Sequence, residues 1–283
     1  MGKKVSYYRK LKGLSIKALA DNLCDESTIY RLEQGKQLPR LEILNDICLK
    51  LEVSFNALFP LNEEVVELKK LCREFTYTAD YPSLELSIVE CSKALEGLTS
   101  IYLKEEFRKF IQWHKGILLH KKENKIEEAL CILNKLVSIK TCGSELDISI
   151  LNSVGLIYLS INNAEEAIKI YRVINERVQN QKIIEDRTLI PRVGYNYAVS
   201  LYKLNRFEEA LIVMHEILLY METNQLMYSL GKVYHMIGLL SKKCGLSTEA
   251  EEAFNNAILV FKLTKDQQNL TRAIIDLESL FHK

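Results

Sequence analysis

The sequence is poor in residues that interrupt helices, with only 4 Pro and 11 Gly among 283 residues. Leu, Ile, Lys and Glu are abundant instead, and this composition predicts a mostly helical protein. No stretch approaches the roughly 18 consecutive apolar residues of a membrane span. The N-terminal MGKKVSYYRK also lacks the apolar core of a signal peptide. We therefore expect a cytoplasmic protein, long enough for about two domains.

The common signatures of catalytic and metal sites are missing as well. The sequence contains no GxSxG, P-loop, HExxH or GxGxxG motif, and none of its five His pairs with a Cys at metal-ligand spacing. Its seven Cys are odd in number and form no CxxC, which argues against a zinc site and a disulfide framework. We therefore expect neither an enzyme nor a cofactor. The thiols are interpreted as reduced small hydrophobic groups, with a redox role as the alternative.

The charge is nearly balanced but unevenly distributed. The chain carries a net +1, whereas residues 1–60 hold ten basic and seven acidic side chains, a net +3 that leaves −2 for the remainder. The first 17 residues contain six Lys or Arg and no acid. A basic head on a slightly acidic body is typical of an N-terminal nucleic-acid-binding module, although a solvated face gives the same pattern.

The capping and helix-terminating residues within 1–59 predict five short helices. Gly13 ends the first helix, and Ser15 and Asp25 can cap the second and third. Gly35 can close the third because glycine tolerates the left-handed conformation. The expected inward-facing residues of the second and third helices are Ala18, Leu19, Leu23, Ile29 and Leu32.

The remaining two helices of this segment are bounded by proline. Pro39 is expected to begin the fourth helix, and Ser54 can cap a short fifth helix that ends before Pro60. The inward-facing residues expected in these two helices are Leu41, Leu44, Ile47, Leu51, Ala57, Leu58 and Phe59. Five helices within about 60 residues make a compact domain, so we place a domain boundary between residues 60 and 61.

The third helix, DESTIYRLEQGK at 25–36, has the arrangement of a DNA-reading helix. A helix-turn-helix places the first residues of its second helix against base edges in the major groove. The candidate base-contacting residues are Glu26, Ser27, Thr28 and Tyr30, with Arg31 on the flank. The candidate phosphate-contacting residues near the helix ends are Lys17, Lys36 and Arg40. The alternative is an ordinary surface helix.

Residues 1–59 resemble the Cro/C1-type helix-turn-helix domain over nearly their whole length. The resemblance rests on the Leu19–Ala20 pair, the Ser-Thr-Ile run at 27–29, the Glu-x-Gly-Lys end at 33–36 and the Ser-x-x-x-Leu-Phe finish at 54–59. Two features depart from the family pattern: Ile16 stands where Gln is usual, and the turn is one residue shorter, with Cys24 where Gly is usual.

The rest of the chain contains a helical repeat of about 40 residues. Four segments place a small residue in one helix and Ala in the next, with a large residue four positions later. Two antiparallel helices approach closely only where both carry small residues, so each segment predicts a helix pair. The three positions are Gly116, Ala129, Leu133; Gly155, Ala167, Tyr171; Ala198, Ala210, Met214; and Gly238, Ala250, Phe254.

These segments resemble degenerate tetratricopeptide repeats. A fifth, poorer copy is expected at 63–96, its first helix at 61–76 doubling as a possible connector, and a capping helix at 270–281. The predicted fold is therefore all-α: a five-helix Cro/C1-type domain (1–60) followed by a right-handed superhelix of about five repeats (61–283). The resemblance implies a concave surface suited to a peptide or helix.

The combination of the two domains resembles the peptide-sensing quorum regulators of the RRNPP family, and within it the PlcR type. The resemblance implies a cytoplasmic homodimer without membrane attachment, which binds an operator in double-stranded DNA and is controlled by a short re-imported signalling peptide. The alternatives are a scaffold that sequesters a protein partner, as in Rap-type relatives without a DNA-binding head, and a peptide-independent repressor whose repeats only dimerise it.

The resemblance also implies where the peptide binds. Asn152 and Asn196 match positions at which relatives use an amide to pair with a peptide backbone, although each could instead bridge or cap neighbouring helices. The other candidate peptide-binding residues are Arg192, Tyr195, Tyr202, Lys232, His235 and Leu239. For the lysines, a solvated face is the alternative interpretation.

Overall fold

The computed structural model describes residues 1–53, 58, 63–140, 142–180 and 186–281, and within them the chain forms fifteen α-helices and no strand. The all-α prediction is confirmed. The chain divides into two compact units, Met1–Phe107 and Arg108–Lys283. The expected domain boundary at residue 60 is a different division and stays a prediction.

The first unit contains the helices of the expected DNA-binding head and the helix pair that follows. Its helices are α1 (Gly2–Leu11), α2 (Ile16–Ala20), α3 (Glu26–Glu33), α4 (Leu41–Leu51), α5 (Glu63–Thr78) and α6 (Tyr81–Gly97). α1 to α4 enclose a core whose buried members are Val5, Leu19, Ala20, Ile29, Leu32, Leu44, Ile47, Cys48, Leu51 and Leu58. α5 and α6 pack against each other, as expected for the poorer repeat copy.

Several local signals read from the sequence have the expected geometry. The backbone N–H of Ala18 donates to Ser15 Oγ at 2.9 Å, which caps α2. Gly13 and Gly35 both have φ of +68°, so each occupies the left-handed region that glycine tolerates. Asp25 is the N-cap residue of α3 but its side chain makes no capping hydrogen bond.

The predicted start of α4 is wrong. The helix begins at Leu41 with Arg40 as its N-cap, so Pro39 precedes the helix. Leu41, expected to face inward, is 65% exposed, whereas Ile43 packs against the core and Leu44 is the first buried residue of α4. The expected fifth helix lies outside the described residues except for Leu58, which is completely buried.

The short turn before α3 contains one residue in the left-handed conformation. Asn22 has φ of +58°, a conformation that Asn adopts more readily than most residues because of its short polar side chain. Cys24 is half-buried against the core of the unit.

The second unit consists of helix pairs in sequence order. Its helices are α7 (Ile101–Lys121), which begins before the division, α8 (Ile126–Leu136), α9 (Glu145–Ser160), α10 (Ala164–Asn180), α11 (Leu189–Lys203), α12 (Phe207–Thr223), α13 (Leu230–Lys243), α14 (Ser247–Leu263) and α15 (Gln267–Glu278). α9 pairs with α10, α11 with α12 and α13 with α14, and each pair packs on the next. The terminal helix α15 begins three residues earlier than predicted, where Asp266 caps it.

The predicted close contacts between paired helices are confirmed. A β-carbon added at Gly155 would lie 2.6 Å from Tyr171, and one added at Gly238 would lie 2.6 Å from Phe254. A β-carbon added at Gly116 would lie at the same distance from Leu133. Two further contacts of this kind were not predicted from the sequence: a β-carbon added at Gly194 would overlap Ile217, and one added at Gly231 would lie 2.6 Å from Phe261.

No helix in the described part of the chain is both long enough and apolar enough to cross a membrane.

Candidate DNA-binding surface and peptide site

A buried ion pair fixes the end of α3 to α1. Arg9 Nε donates to Glu33 Oε1 at 2.6 Å and Arg9 Nη2 donates to Glu33 Oε2 at 2.9 Å, a bidentate arrangement. Arg9 Nη1 donates to the Leu14 carbonyl at 2.8 Å. The two side chains are only 10% and 6% exposed. The Arg9 guanidinium holds the pKa of Glu33 below its ordinary value, since its hydrogen bond and charge outweigh the opposing effect of burial.

Close backbone packing supports the same junction. A β-carbon added at Gly2 would overlap the backbone carbonyl oxygen of Leu32, so the start of α1 abuts the end of α3. The role of Arg9 was not predicted from the sequence, and Glu33 was expected only as part of a family motif. That motif is a sequence signal that could have located this pair.

The opposite face of α3 is free to meet a ligand. Ile29 and Leu32 are completely buried, whereas Glu26, Ser27 and Tyr30 are exposed. The remaining predicted contact residues are also at the surface: Lys17, Arg31, Lys36 and Arg40 are exposed, and Thr28 is half-buried. The helix therefore presents a polar face with acceptors and donors for base edges.

The candidate phosphate contacts are not neutralised within the described residues. Lys17, Lys36 and Arg40 form no ion pair there, while Lys4 pairs with Glu63 and Lys12 with Glu52. The Lys36 ammonium lies 6.0 Å from the centre of the Tyr30 ring, so this cation is next to a predicted base-contacting residue. Unpaired cations beside a polar helix face are what a nucleic-acid surface requires.

In the second unit, polar contacts connect the first helices of successive repeats. We call α7, α9, α11, α13 and α15 the first-helix row. Lys109 of α7 pairs with Asp147 of α9, and the Trp113 indole N–H donates to Ser153 Oγ at 2.8 Å. His235 Nε2 of α13 lies 2.7 Å from Asp276 Oδ2 of α15. These partners are about one repeat apart in the sequence, so equivalent positions along the row meet.

The two predicted peptide-binding asparagines contact each other. Asn196 Nδ2 donates to Asn152 Oδ1 at 2.9 Å, which connects α11 to α9. The Tyr171 hydroxyl donates to the Asn152 carbonyl at 3.2 Å, and burial raises the pKa of this tyrosine. Asn152 is 9% exposed and Asn196 is half-buried. In this structure the pair has the helix-bridging arrangement that the sequence left as an alternative.

The other predicted peptide contacts are not all brought together. Arg192 pairs with Asp186 at 2.6 Å, and the Tyr202 ring packs 5.3 Å from the Phe207 ring within its own helix pair. Lys232 is exposed, and Leu239 is half-buried. Tyr195 is half-buried, and burial raises its pKa. Asp276, the partner of His235, was not predicted from the sequence because the contact joins residues 41 positions apart.

The first-helix row is interrupted between α11 and α13. Among the described residues, no hydrogen bond joins these two helices, in contrast to their neighbours along the row. The two helices carry no acid and five basic residues: Arg192, Lys203, Lys232, Lys242 and Lys243. Because Arg192 is paired with Asp186, the positive local charge that a ligand would meet in this part of the row comes from the four lysines, and it favours an anionic group.

The two parts of the chain define a protein class, a helix-turn-helix head followed by helical repeats. A family model described as "Helix-turn-helix" matches residues 5–58, and one described as "RNPP family C-terminal domain" matches residues 67–277. This chain belongs to the RNPP family. Proteins of this family are transcriptional regulators. The resemblance drawn from the sequence is thereby confirmed.

Solved structures with the same fold span the whole chain. PlcR of Bacillus thuringiensis, in complex with the peptide PapR7 and DNA, superposes with a TM-score of 0.79 at 21% identity, and the match covers 100% of this chain and 99% of that chain. ComR of S. thermophilus, in complex with DNA and its signalling peptide ComS, gives 0.65 at 17% identity, with 99% of both chains covered. The SHP pheromone receptor Rgg2 of Streptococcus dysgalactiae gives 0.66 at 17%, with 98% of both covered. No curated protein sequence matches.

Proposed function

We propose that this protein is a cytoplasmic quorum-sensing transcriptional regulator. In this proposal it binds operator DNA as a homodimer through α3, and a short re-imported signalling peptide bound along the first-helix row controls that binding. The observation that carries the proposal is the combination in one chain of an exposed, unneutralised α3 surface with an RNPP C-terminal domain. The activity proposed is regulation by binding, not catalysis.

DNA binding would divide the surface of the first unit into two functions. Glu26, Ser27, Thr28 and Tyr30, with Arg31 on the flank, would contact base edges, where each good contact contributes about 1–3 kcal/mol of discrimination. Lys17, Lys36 and Arg40 would contact phosphates and supply salt-dependent affinity without sequence preference. The Arg9–Glu33 pair supports this division because it holds α3 rigidly behind its exposed face.

Two kinds of substitution separate these functions. Lys17→Ala is expected to weaken binding to all sequences and to lower the salt slope by about 1. Ser27→Ala is expected to relax sequence preference at one base position while leaving the salt slope unchanged. Lys10→Ala, which removes an exposed lysine of α1, is the control and is expected to change neither property. If Lys17→Ala changed the base preference, or left the salt slope unaltered, the assignment of Lys17 to a phosphate contact would be contradicted.

Peptide binding would require the asparagine pair to open. An amide presents a donor and an acceptor, so Asn152 and Asn196 could exchange their mutual 2.9 Å bond for bonds to a peptide backbone. Because one bond replaces another, the exchange would cost little net hydrogen-bond energy. The proposed peptide site also includes Arg192, Tyr195, Tyr202, Lys232, His235 and Leu239.

Control of DNA binding follows from population shift. Two heads on a dimer can read a palindromic operator only when they sit about one helical turn apart, or a multiple of that distance. A peptide that favours one arrangement of the dimer would raise the fraction of dimers with this spacing. A peptide that binds all arrangements equally would change nothing.

In-vitro selection of operator DNA tests the proposal. Random double-stranded oligonucleotides are selected on the purified full chain, with and without culture supernatant of the source organism. Enrichment that depends on the supernatant is expected. No enrichment in either condition would contradict DNA binding, while identical enrichment in both would contradict control by a peptide and favour an autonomous repressor.

A matched pair of variants then locates the peptide site. Asn196→Ala is expected to abolish the supernatant dependence of DNA selection while leaving basal DNA binding intact. Asn255→Ala changes an exposed asparagine on α14, the second helix of the pair α13–α14; this variant is the control and is expected to retain the dependence. If both variants respond to supernatant as the native chain does, the asparagine pair is not part of the site.

A further inference from the structure

The helix pair α5–α6 contains two cysteines in direct contact. Cys72 Sγ of α5 lies 3.7 Å from Cys91 Sγ of α6, and both residues are completely buried. The other five cysteines make no such contact with a second thiol in the described part of the chain. Two thiols that were expected to be ordinary small hydrophobic groups are therefore placed side by side by the packing of two helices.

The distance between the sulfurs suits reversible bond formation. A disulfide has an S–S length of about 2.05 Å, so the sulfurs would need to approach by about 1.7 Å. Rotation about the two Cα–Cβ bonds and a small slide of one helix can supply such a movement. Both cysteines belong to the same compact unit, Met1–Phe107, so forming the disulfide requires no rearrangement between the units.

The environment makes the two thiols chemically unequal. The hydrogen bond between the two thiols lowers the pKa of Cys91 against the effect of burial, while the Glu90 carboxylate raises it and the Lys69 ammonium lowers it. The same hydrogen bond, together with burial, raises the pKa of Cys72. Because the thiolate is the reactive form, Cys91 is the nucleophile of the pair and Cys72 the resolving thiol.

We propose that Cys72 and Cys91 form a reversible two-electron redox site, which peroxide-class oxidants convert to an intramolecular disulfide. The Cys91 sulfur attacks one peroxide oxygen, which yields a sulfenic acid and releases one water. The Cys72 sulfur then attacks the Cys91 sulfur and displaces the hydroxyl, which leaves as a second water. Two thiols are thus oxidised by two electrons while one peroxide is reduced to two waters.

The oxidant must enter through local opening of the helix pair, because both sulfurs are fully buried. A small uncharged peroxide suits such a route better than a bulky oxidant. Once formed, the disulfide would connect α5 to α6 in mid-helix and oppose the same opening. Exchange with a dithiol would restore the reduced pair. This site would operate independently of the proposed peptide and DNA sites.

Peptide mapping of the oxidised, folded chain tests the proposal. The full-length protein is treated with hydrogen peroxide, denatured, alkylated with iodoacetamide and digested with trypsin. Cleavage after Lys70, Arg73 and Lys93 separates the two cysteines into peptides 71–73 and 74–93. These peptides are expected to be joined, with a mass about 2 Da below their sum, and dithiothreitol is expected to release them.

Comparison with the other buried thiols makes the outcome specific. Cys48 and Cys142 are also buried but have no thiol partner, so they are expected to remain alkylatable under the same treatment. A Cys142→Ala variant is expected to form the cross-link at the native rate, and a Cys72→Ala variant to form none between these peptides. The proposal is overturned if the cross-link appears only in denaturant, or if exposed Cys131 is oxidised while the pair stays reduced.

Amide hydrogen exchange provides a second readout that does not depend on any substitution. Oxidation is expected to slow exchange several-fold in residues 63–97 and to leave residues 145–160 unchanged. Equal exchange of the reduced and oxidised chains across 63–97 would contradict the link between the two helices.

Discussion

Removal of the Arg9 head group is expected to destabilise the first unit strongly. In an Arg9→Met variant the aliphatic stem is retained but the guanidinium is lost. Glu33, which is only 6% exposed, would then be buried without its two charge-assisted hydrogen bonds, and the Leu14 carbonyl would lose a donor. Loss of one partner of a buried ion pair typically costs about 3–5 kcal/mol, because a charge is left without compensation.

Three companion variants test whether the unpaired charge of Glu33 causes the loss of stability in Arg9→Met. Glu33→Gln retains an acceptor for Arg9 and is expected to cost less than Arg9→Met. The double variant Arg9→Met/Glu33→Met removes both charges, so it is expected to be milder than the sum of its single changes. Lys10→Met, which removes an exposed neighbour of Arg9 on α1, is the control and is expected to stay within about 0.5 kcal/mol of the native chain.

Native-state hydrogen exchange of the full chain measures these values locally, since it reports the free energy of opening for α1 and α3 separately from the repeats. The amides that cover residues 2–11 and 26–33 are expected to lose several kcal/mol of protection in Arg9→Met, and those in 145–160 none. A loss below about 1 kcal/mol at α3, or strict additivity in the double variant, would refute the reasoning.

Three further outcomes follow from the packing and charge of individual residues. Gly155→Ala is expected to lower the free energy of unfolding by about 1–3 kcal/mol in urea titration, because the new methyl group would overlap a buried tyrosine ring, whereas Gly97→Ala, with open space around it, is expected to be neutral or stabilising. Acidification below about pH 4.3 is expected to speed the hydrogen exchange of α3, because the pKa of Glu33 is lower in the folded than in the unfolded chain. The stability that Glu33 contributes is complete above its unfolded-state pKa and is lost as the pH falls through its folded-state pKa. Protection of α3 that persists unchanged to low pH would argue against this. Ser153→Ala is expected to destabilise the second unit by about 1–2 kcal/mol and to shift the emission of Trp113, whose indole N–H would lose its acceptor; an unchanged emission spectrum would argue against that contact.

The charge of the helices in the second unit also favours an anionic group in the proposed peptide ligand. The neighbouring helices differ in charge: α11 and α13 contain only basic charged residues, whereas α12, the second helix of the pair α11–α12, contains four Glu and no Lys or Arg. An anionic peptide group would therefore be attracted to α11 and α13 and repelled by the neighbouring α12. This asymmetry gives a physical reason for such a group to select the α11–α13 part of the row over α12.

Much of the fold could be predicted from the sequence because its determinants are local or periodic. The Ser15 cap and the left-handed Gly13 and Gly35 are decided by residues next to them, so their geometry agreed with expectation. The helix pairs were predicted because a missing side chain, as at Gly155, permits close approach whatever else surrounds it. The start of α4 was predicted wrongly because proline is compatible with several positions near a helix end, and only packing decides which one is used.

The partners of the functional side chains were decided only by tertiary structure. Arg9 and Glu33 are 24 residues apart, Cys72 and Cys91 are 19 apart, and the two asparagines are 44 apart. No local pattern states that one such side chain will meet the other, because the meeting depends on the rotation and offset of two packed helices. The sequence by itself therefore determined which helices form and which of them pair closely. Only the folded chain decided which polar groups satisfy each other and which, like those on the outer face of α3, remain available to a ligand.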